Sequence, residues 1–150
     1  MSTRPILGID IGGSGIKGAV VDVAQGTFLS ERVRLPTPQP AKPESVGQVV
    51  AALAEQFGWH GPIGCTFPAI IKRGIAFTAA NVDSTWIGTN VQTLVAAATN
   101  CPITVLNDAD AAGLAELTFG AARDQSGTVL MLTFGTGIGS ALLVGGRLVE

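Results

Sequence analysis

Two carboxylates at the ends of aliphatic runs, and two glycine-rich bends, are the places where this sequence could do chemistry. In LGIDIGGSGIKGAV, residues 7–20, Asp10 interrupts a run that is otherwise aliphatic or glycine, and Gly12, Gly13, Ser14 and Gly15 follow directly. A carboxylate there is expensive to bury unless it is paired or meets a cation, directly or through water. The glycines leave backbone N–H groups unshielded by side chains, and concave clusters of such donors hold phosphate oxygens. Ser14 adds a hydroxyl, and Lys17 a point charge that could equally face solvent. Mg²⁺ carried by a phosphate would supply the cation for Asp10; alternatively, the carboxylate accepts hydrogen bonds from the amides of its own turn. Any tight hairpin also needs residues that tolerate positive φ, which alone explains one such bend. Two matched bends change the weighting. A second, in VLMLTFGTGIGSALLVGG with Thr136 and Gly137 at its tip, lies about 123 positions downstream, a repeat distance that fits two related lobes rather than a solenoid.

The second carboxylate is Asp108. ITVLND, residues 103–108, reads as a buried strand running straight into ADAAGLAELTFG, a small-residue helix closed by Gly120. Asn107, Asp108 and Asp110 suit a helix start, where side-chain oxygens cap amides and negative charge meets the positive end of the dipole. Asp108 also stands at a strand's C-terminal end, where α/β folds put ligands, and could accept the proton of a hydroxyl attacking phosphorus. The loop from Asn81 to Asn90 sets Asn81, Asp83, Ser84, Thr85 and Thr89 around Trp86. Hydrogen-bonding groups beside an aromatic face suit a sugar, and equally suit a surface loop that caps the next helix.

The elements that must position these groups follow from periodicity. Gly13, Gly15 and Gly18 match the dinucleotide spacing G-x-G-x-x-G, but that fold requires a helix next, whereas IKGAVVDV is rich in β-branched residues and predicts a strand. The first bend is therefore expected to be a hairpin. FLSERVRL, residues 28–35, alternates as a third strand would, and Pro36, Pro38, Pro40 and Pro43 form a stiff connector. Val46, Val49, Val50, Leu53 and Phe57 repeat at helical spacing up to Gly58. Strands are expected at 62–67 and 70–77, and a helix over Val91, Leu94, Val95 and Ala98 with Thr89 or Asn90 as its cap. Strands alternating with helices imply an α/β sheet covered by helices. RDQSG, residues 123–127, is a polar break.

Composition bounds the partners. With 47% hydrophobic and 13% charged residues the chain is a folded α/β type, not a disordered one. A net charge of −2 gives no global basic field for nucleic acid, so small molecules are the expected partners. Cys65, Cys101 and the single His60 make neither a zinc pattern nor a disulfide framework. Neither a signal peptide nor a membrane-length apolar run is present, so the expected setting is the cytoplasm, with no membrane partner.

Taken jointly, DIGGSGIKGA, TAANVDSTWIGTN, LNDADAAGLAE and LTFGTGIGSAL resemble the ROK family of sugar kinases, within the actin and hexokinase (ribonuclease H-like) superfamily, from about Ile6 onward. The loop ANVDSTWIGTN narrows the resemblance to the actinobacterial polyphosphate glucokinases and glucomannokinases. The resemblance implies a two-lobed fold, with residues 1–122 as the N-terminal lobe and residues 123–150 as the opening hairpin of the second. It implies phosphorylation of glucose, or also mannose, at the 6-hydroxyl from polyphosphate or ATP with Mg²⁺, and it leaves a homodimer open. Carried over by position, Asp10 serves phosphate and Mg²⁺, with Gly12, Gly13, Ser14 and Lys17 as the first phosphate loop and Thr136 and Gly137 in the second. Asp108 would be the general base, and Asn107 and Asn81 would hold ring hydroxyls. One departure is visible: many relatives have Pro-Gly near the sugar where this chain has Pro68 and Ala69, whose methyl group is expected to trim the pocket or shift sugar preference. The family's remaining sugar ligands, a Glu and a His, would lie beyond Glu150, so this piece alone is expected to be inactive. ROK regulators carry a DNA-binding module ahead of the first hairpin, and with five residues before Ile6 the expectation leans to a kinase.

Overall fold

The computed structural model describes residues 5–135 and 137–149. By its internal contacts the chain divides into two compact units, Met1–Leu106 and Asn107–Glu150.

In the first unit, β1 (Ile6–Ile11) sends Leu7, Ile9 and Ile11 into the core and Gly8 and Asp10 to the other face, the period-2 alternation of a strand. β2 (Gly15–Asp22) returns antiparallel to it, pairing Ile11 with Ile16 and Asp10 with Lys17. A strand, not a helix, thus follows the glycines, which overturns the dinucleotide-binding alternative. Gly18 has a packing reason instead: a Cβ there would lie 2.9 Å from Leu53 Cδ2.

The single strand expected at 28–35 is two short ones, β3 (Thr27–Phe28) and β4 (Val33–Pro36), both antiparallel to β2. The break has a local cause. Ser30 Oγ takes the Val20 amide at 2.9 Å, so a side chain replaces the backbone ladder there. α1 (Pro43–Gln56) begins with proline and Glu44 in its first turn and is followed by Gly58 at φ +57°. β5 (Ile63–Phe67) lies parallel to β1.

The strand expected at 70–77 is a tight hairpin, β6 (Ile71–Lys72) and β7 (Ile75–Ala76), turned at Arg73 (φ 51°) and Gly74 (φ 79°). Positive φ at both central residues matches the twist of the flanking strands. α2 (Val91–Thr99) is capped by Asn90, whose Oδ1 accepts from Thr93 N at 2.9 Å, which decides between the two expected caps. β8 (Ile103–Asn107) completes the sheet in the order β3-β2-β1-β5-β8, with β4 also on β2.

Val46, Val50 and Leu53 of α1 and Val91 and Val95 of α2 bury against Leu7, Ile9, Ile11, Ile63 and Phe67. Each such side chain contributes roughly 1.5–3 kcal/mol on burial. The core therefore stands on one face of the sheet, and the face carrying Gly8, Asp10 and Lys17 is left half-exposed.

The second unit is α3 (Asp108–Phe119), β9 (Thr128–Phe134), β10 (Ile138–Val144) and β11 (Arg147–Leu148). α3 lies close on β10 because both contribute glycine: a Cβ at Gly113 would stand 2.6 Å from Ala141 Cβ, and one at Gly139 2.9 Å from Ala109 Cβ. The repeated hairpin is present, with a shorter loop: Phe134 pairs with Ile138 here, where Ile11 pairs with Ile16 in the first unit.

Candidate functional site

Four strands align a polar row on the open face of the first sheet. In register run Thr66 of β5, Asp10 of β1, Lys17 of β2 and Arg34 of β4. Thr66 Oγ1 donates to Asp10 Oδ1 at 2.7 Å, and Lys17 Nζ stands 3.8 Å from Asp10 Oδ2. Both members of that ion pair are nearly half exposed (41% and 49%), so the pair is worth little and yields easily to a ligand. Asp10 does not accept from the amides of its own turn; its short bond comes from another strand. Thr66, Asp10 and Lys17 of the row line a trough of about 290 Å³ together with Gly8, Ala19 and Gly64.

The glycine turn beside the row is built for close approach. None of Gly12, Gly13 or Gly15 adopts a left-handed φ, contrary to the expectation that a tight bend would demand it. A Cβ on Gly13 would meet the Asn81 carbonyl oxygen at 2.7 Å, and one on Gly15 would strike the Arg34 guanidinium. Gly13 therefore brings the expected phosphate loop against Asn81 of the expected sugar loop. Three successive carbonyls of the turn each accept a side-chain bond: Gly12 from Thr37 Oγ1 at 2.6 Å and Gly13 from Gln39 Nε2 at 3.1 Å, both on the connector, and Ser14 from Arg34 of β4 at 2.9 Å. Ser14 itself is exposed.

In the sugar loop, Trp86 overturns the aromatic-face expectation. It is fully buried, tilted against Phe67 at 4.6 Å, and its indole N–H donates to Ala41 O at 2.7 Å, so neither ring face is open to a ligand. Asp83 is structural as well, capping the short 3-10 turn at Ser84–Trp86. The Thr85 hydroxyl and then the Thr85 amide, with the charge of Lys42 behind them, hold the Asp83 carboxyl below its usual range. Asn81 is exposed and Pro68 half-buried. Ala69 is 4% exposed and belongs to the hydrophobic core.

In the second unit, Asn107 Oδ1 accepts from the Ala109 and Asp110 amides at 2.9 and 3.1 Å and so caps α3. Asp108 is the first residue of that helix, exposed, with Oδ1 accepting from Ala109 N at 2.9 Å. Gly137 is exposed, its carbonyl accepting from Gly135 N at 2.9 Å; Thr136 lies outside the described residues.

Sequence reasoning missed Thr66, Arg34, Thr37 and Gln39. A polar residue in the apolar strand IGCTF was a signal for Thr66, whereas Thr37 and Gln39 were hidden in a segment read only as a proline spacer.

A mixed α/β fold opening on a hairpin about a glycine turn with a carboxylate at its base is that of the actin- and hexokinase-like sugar kinases. The chain belongs to the ROK family, whose model matches residues 6–150. It is 51% identical over 143 residues to a polyphosphate glucokinase of Mycobacterium tuberculosis, across 95% of this chain and 54% of that one. Its structure matches the inorganic polyphosphate/ATP-glucomannokinase of Arthrobacter sp. strain KM with a TM-score of 0.93 and 50% identity, covering 97% of this chain and 60% of that one. A ROK family glucokinase from Streptomyces griseus, in complex with glucose and AMPPNP, matches with a TM-score of 0.80 and 30% identity, covering 97% of this chain and 46% of that one. The chain spans about half the length of the curated relatives it matches.

Proposed function

We propose that the whole protein transfers a phosphoryl group from polyphosphate or ATP to the 6-hydroxyl of glucose, and also of mannose. The observation that carries this reading is the Asp10 carboxylate beside a glycine turn in a chain half identical to polyphosphate glucokinases. Phosphoryl transfer asks a protein chiefly for alignment and charge neutralisation. Amides of the first turn, with Lys17, would hold donor oxygens, and Thr136 and Gly137 would do so from the second. Asn81 and Asn107 would hold ring hydroxyls. Asp108 would take the proton of the attacking hydroxyl.

The donor set fits Mg²⁺, which keeps several waters and binds through one or two carboxylates plus substrate phosphates. Asp10 is one such carboxylate, and among the described residues no group of three or more His, Cys, Asp or Glu forms an all-protein cage. When bound, the ion would offset charge on the transferring phosphate. In the two-lobed reading, residues 1–122 and 123–150 belong to separate lobes around the reacting groups.

The test is transfer by the full-length protein to glucose or mannose from polyphosphate or ATP, read as sugar 6-phosphate. Asp108→Asn is expected to lower kcat by about 10²- to 10⁴-fold, the usual worth of a general base, with little change in glucose KM. Absence of transfer from either donor to either sugar defeats the reading, and an unchanged kcat in Asp108→Asn removes that residue from the mechanism.

A further inference from the structure

We propose that Thr37 and Gln39, with Arg34, are positioning residues for the phosphoryl donor: they clamp the carbonyls of the glycine turn and thereby aim its amides. The inference rests on the reading above, in which the turn at Gly12–Ser14 receives the donor.

A trans peptide unit is planar and carries its C=O and the next N–H on opposite sides. Fixing the Gly12 carbonyl therefore fixes the Gly13 amide, and fixing the Gly13 carbonyl fixes the Ser14 amide. Thr37 Oγ1 holds the first at 2.6 Å and Gln39 Nε2 the second at 3.1 Å, so both amides point away from the connector. Arg34 holds the next carbonyl, that of Ser14, at 2.9 Å. Neither the Gly13 nor the Ser14 amide donates to a protein acceptor among the described residues, so the two donors remain available to an incoming anion.

The connector is suited to this work. Pro36, Pro38 and Pro40 restrict the backbone of the segment, and from it Thr37 and Gln39 both reach the same turn. Thr37 is 6% exposed, so its hydroxyl bond is shielded from competing water. Without the clamp the turn, rich in glycine, could rotate its peptide planes at small cost, and ordering them would be charged to donor binding.

The experiment uses the full-length protein with Gln39→Leu, an exposed site where folding is not at stake, together with Thr37→Val and Thr37→Ser. Loss of one neutral hydrogen bond should raise the KM for the donor about three- to tenfold in Gln39→Leu and Thr37→Val. The KM for glucose should hold in both variants and the Tm in Gln39→Leu, and Thr37→Ser, which keeps the hydroxyl, should restore the donor KM. An unchanged donor KM in Gln39→Leu and Thr37→Val, or donor and glucose KM rising together, overturns the proposal. Titration of ¹⁵N-labelled protein with tripolyphosphate tests the clamp apart from catalysis. The Gly13 and Ser14 amide resonances should shift in the wild type and need several-fold more ligand in Gln39→Leu. If the wild type transfers no phosphate but this titration behaves so, the functional reading fails and the clamp stands; if those resonances do not move in the wild type, the clamp fails.

Discussion

Adjacent residues of β5 meet opposite fates because a strand alternates its faces. Thr66 points to the open face and binds Asp10, whereas Cys65 points to the core, where burial pushes its thiol up to about 12 from an ordinary 9.0. The linkage has a definite sign. Between those values the unfolded chain gives up a proton that the folded one keeps, so the stability contributed by Cys65 is full below pH 9 and is lost as pH rises toward 12. The protein should accordingly lose more Tm between pH 8 and pH 10 than Cys65→Ala does over the same interval; parallel losses would place the thiol in water. The sequence shows Asp10 as a carboxylate in need of a partner, but its bond to Thr66 spans 56 residues and depends on the parallel register of β1 with β5. Local pattern carries no register between distant strands, so the partner was not legible there.

Glycine at the element scale works here by proximity more than by backbone freedom. In α3, replacing Gly113 with alanine should favour the isolated helix by up to about 1 kcal/mol. The new methyl would stand 2.6 Å from Ala141 Cβ on β10, and overpacking of that kind costs about 1–3 kcal/mol. Sterics should win: Gly113→Ala lowers the Tm, and adding Ala141→Gly recovers most of the loss. A single variant more stable than the wild type would mean that α3 does not bear on β10 at that point. Strand and helix positions were largely legible because β1, α1 and α2 each keep one period along their length, and α3 was marked instead by its small residues between Asn107 and Gly120. The elements that escaped were set by single side chains or unusual turns. Ser30 interrupts the strand expected at 28–35, and Arg73-Gly74 makes a hairpin turn without the Asn-Gly pair that usually announces one. Trp86 escaped as well, since a polar loop around an aromatic residue reads the same whether the ring covers a ligand or plugs a core.

For the whole molecule, the apolar surface of the second unit is the decisive quantity. β9 and β10 turn one face to α3, and on the other Leu130, Leu132, Phe134, Ile138, Leu142 and Val144 are all exposed, with Phe134 at 76% and Ile138 at 75%. Contiguous apolar surface of this sort marks an interface or an aggregation hazard, because soluble monomers seldom leave it in water. This chain spans about half the length of its curated relatives, and the resemblance puts further sugar ligands beyond Glu150. A protein of this 150-residue sequence should therefore bind a hydrophobic dye such as ANS, self-associate with rising concentration in sedimentation, and fail to phosphorylate glucose. Leu132→Lys with Leu142→Lys places charge on both strands of the exposed face, and should suppress the association while leaving the far-ultraviolet circular dichroism intact. Dye binding and association that persist in that double variant would locate the sticky surface elsewhere. Measurable glucose phosphorylation by the 150-residue protein would show that the first unit and one further hairpin suffice for catalysis, against the two-lobed reading.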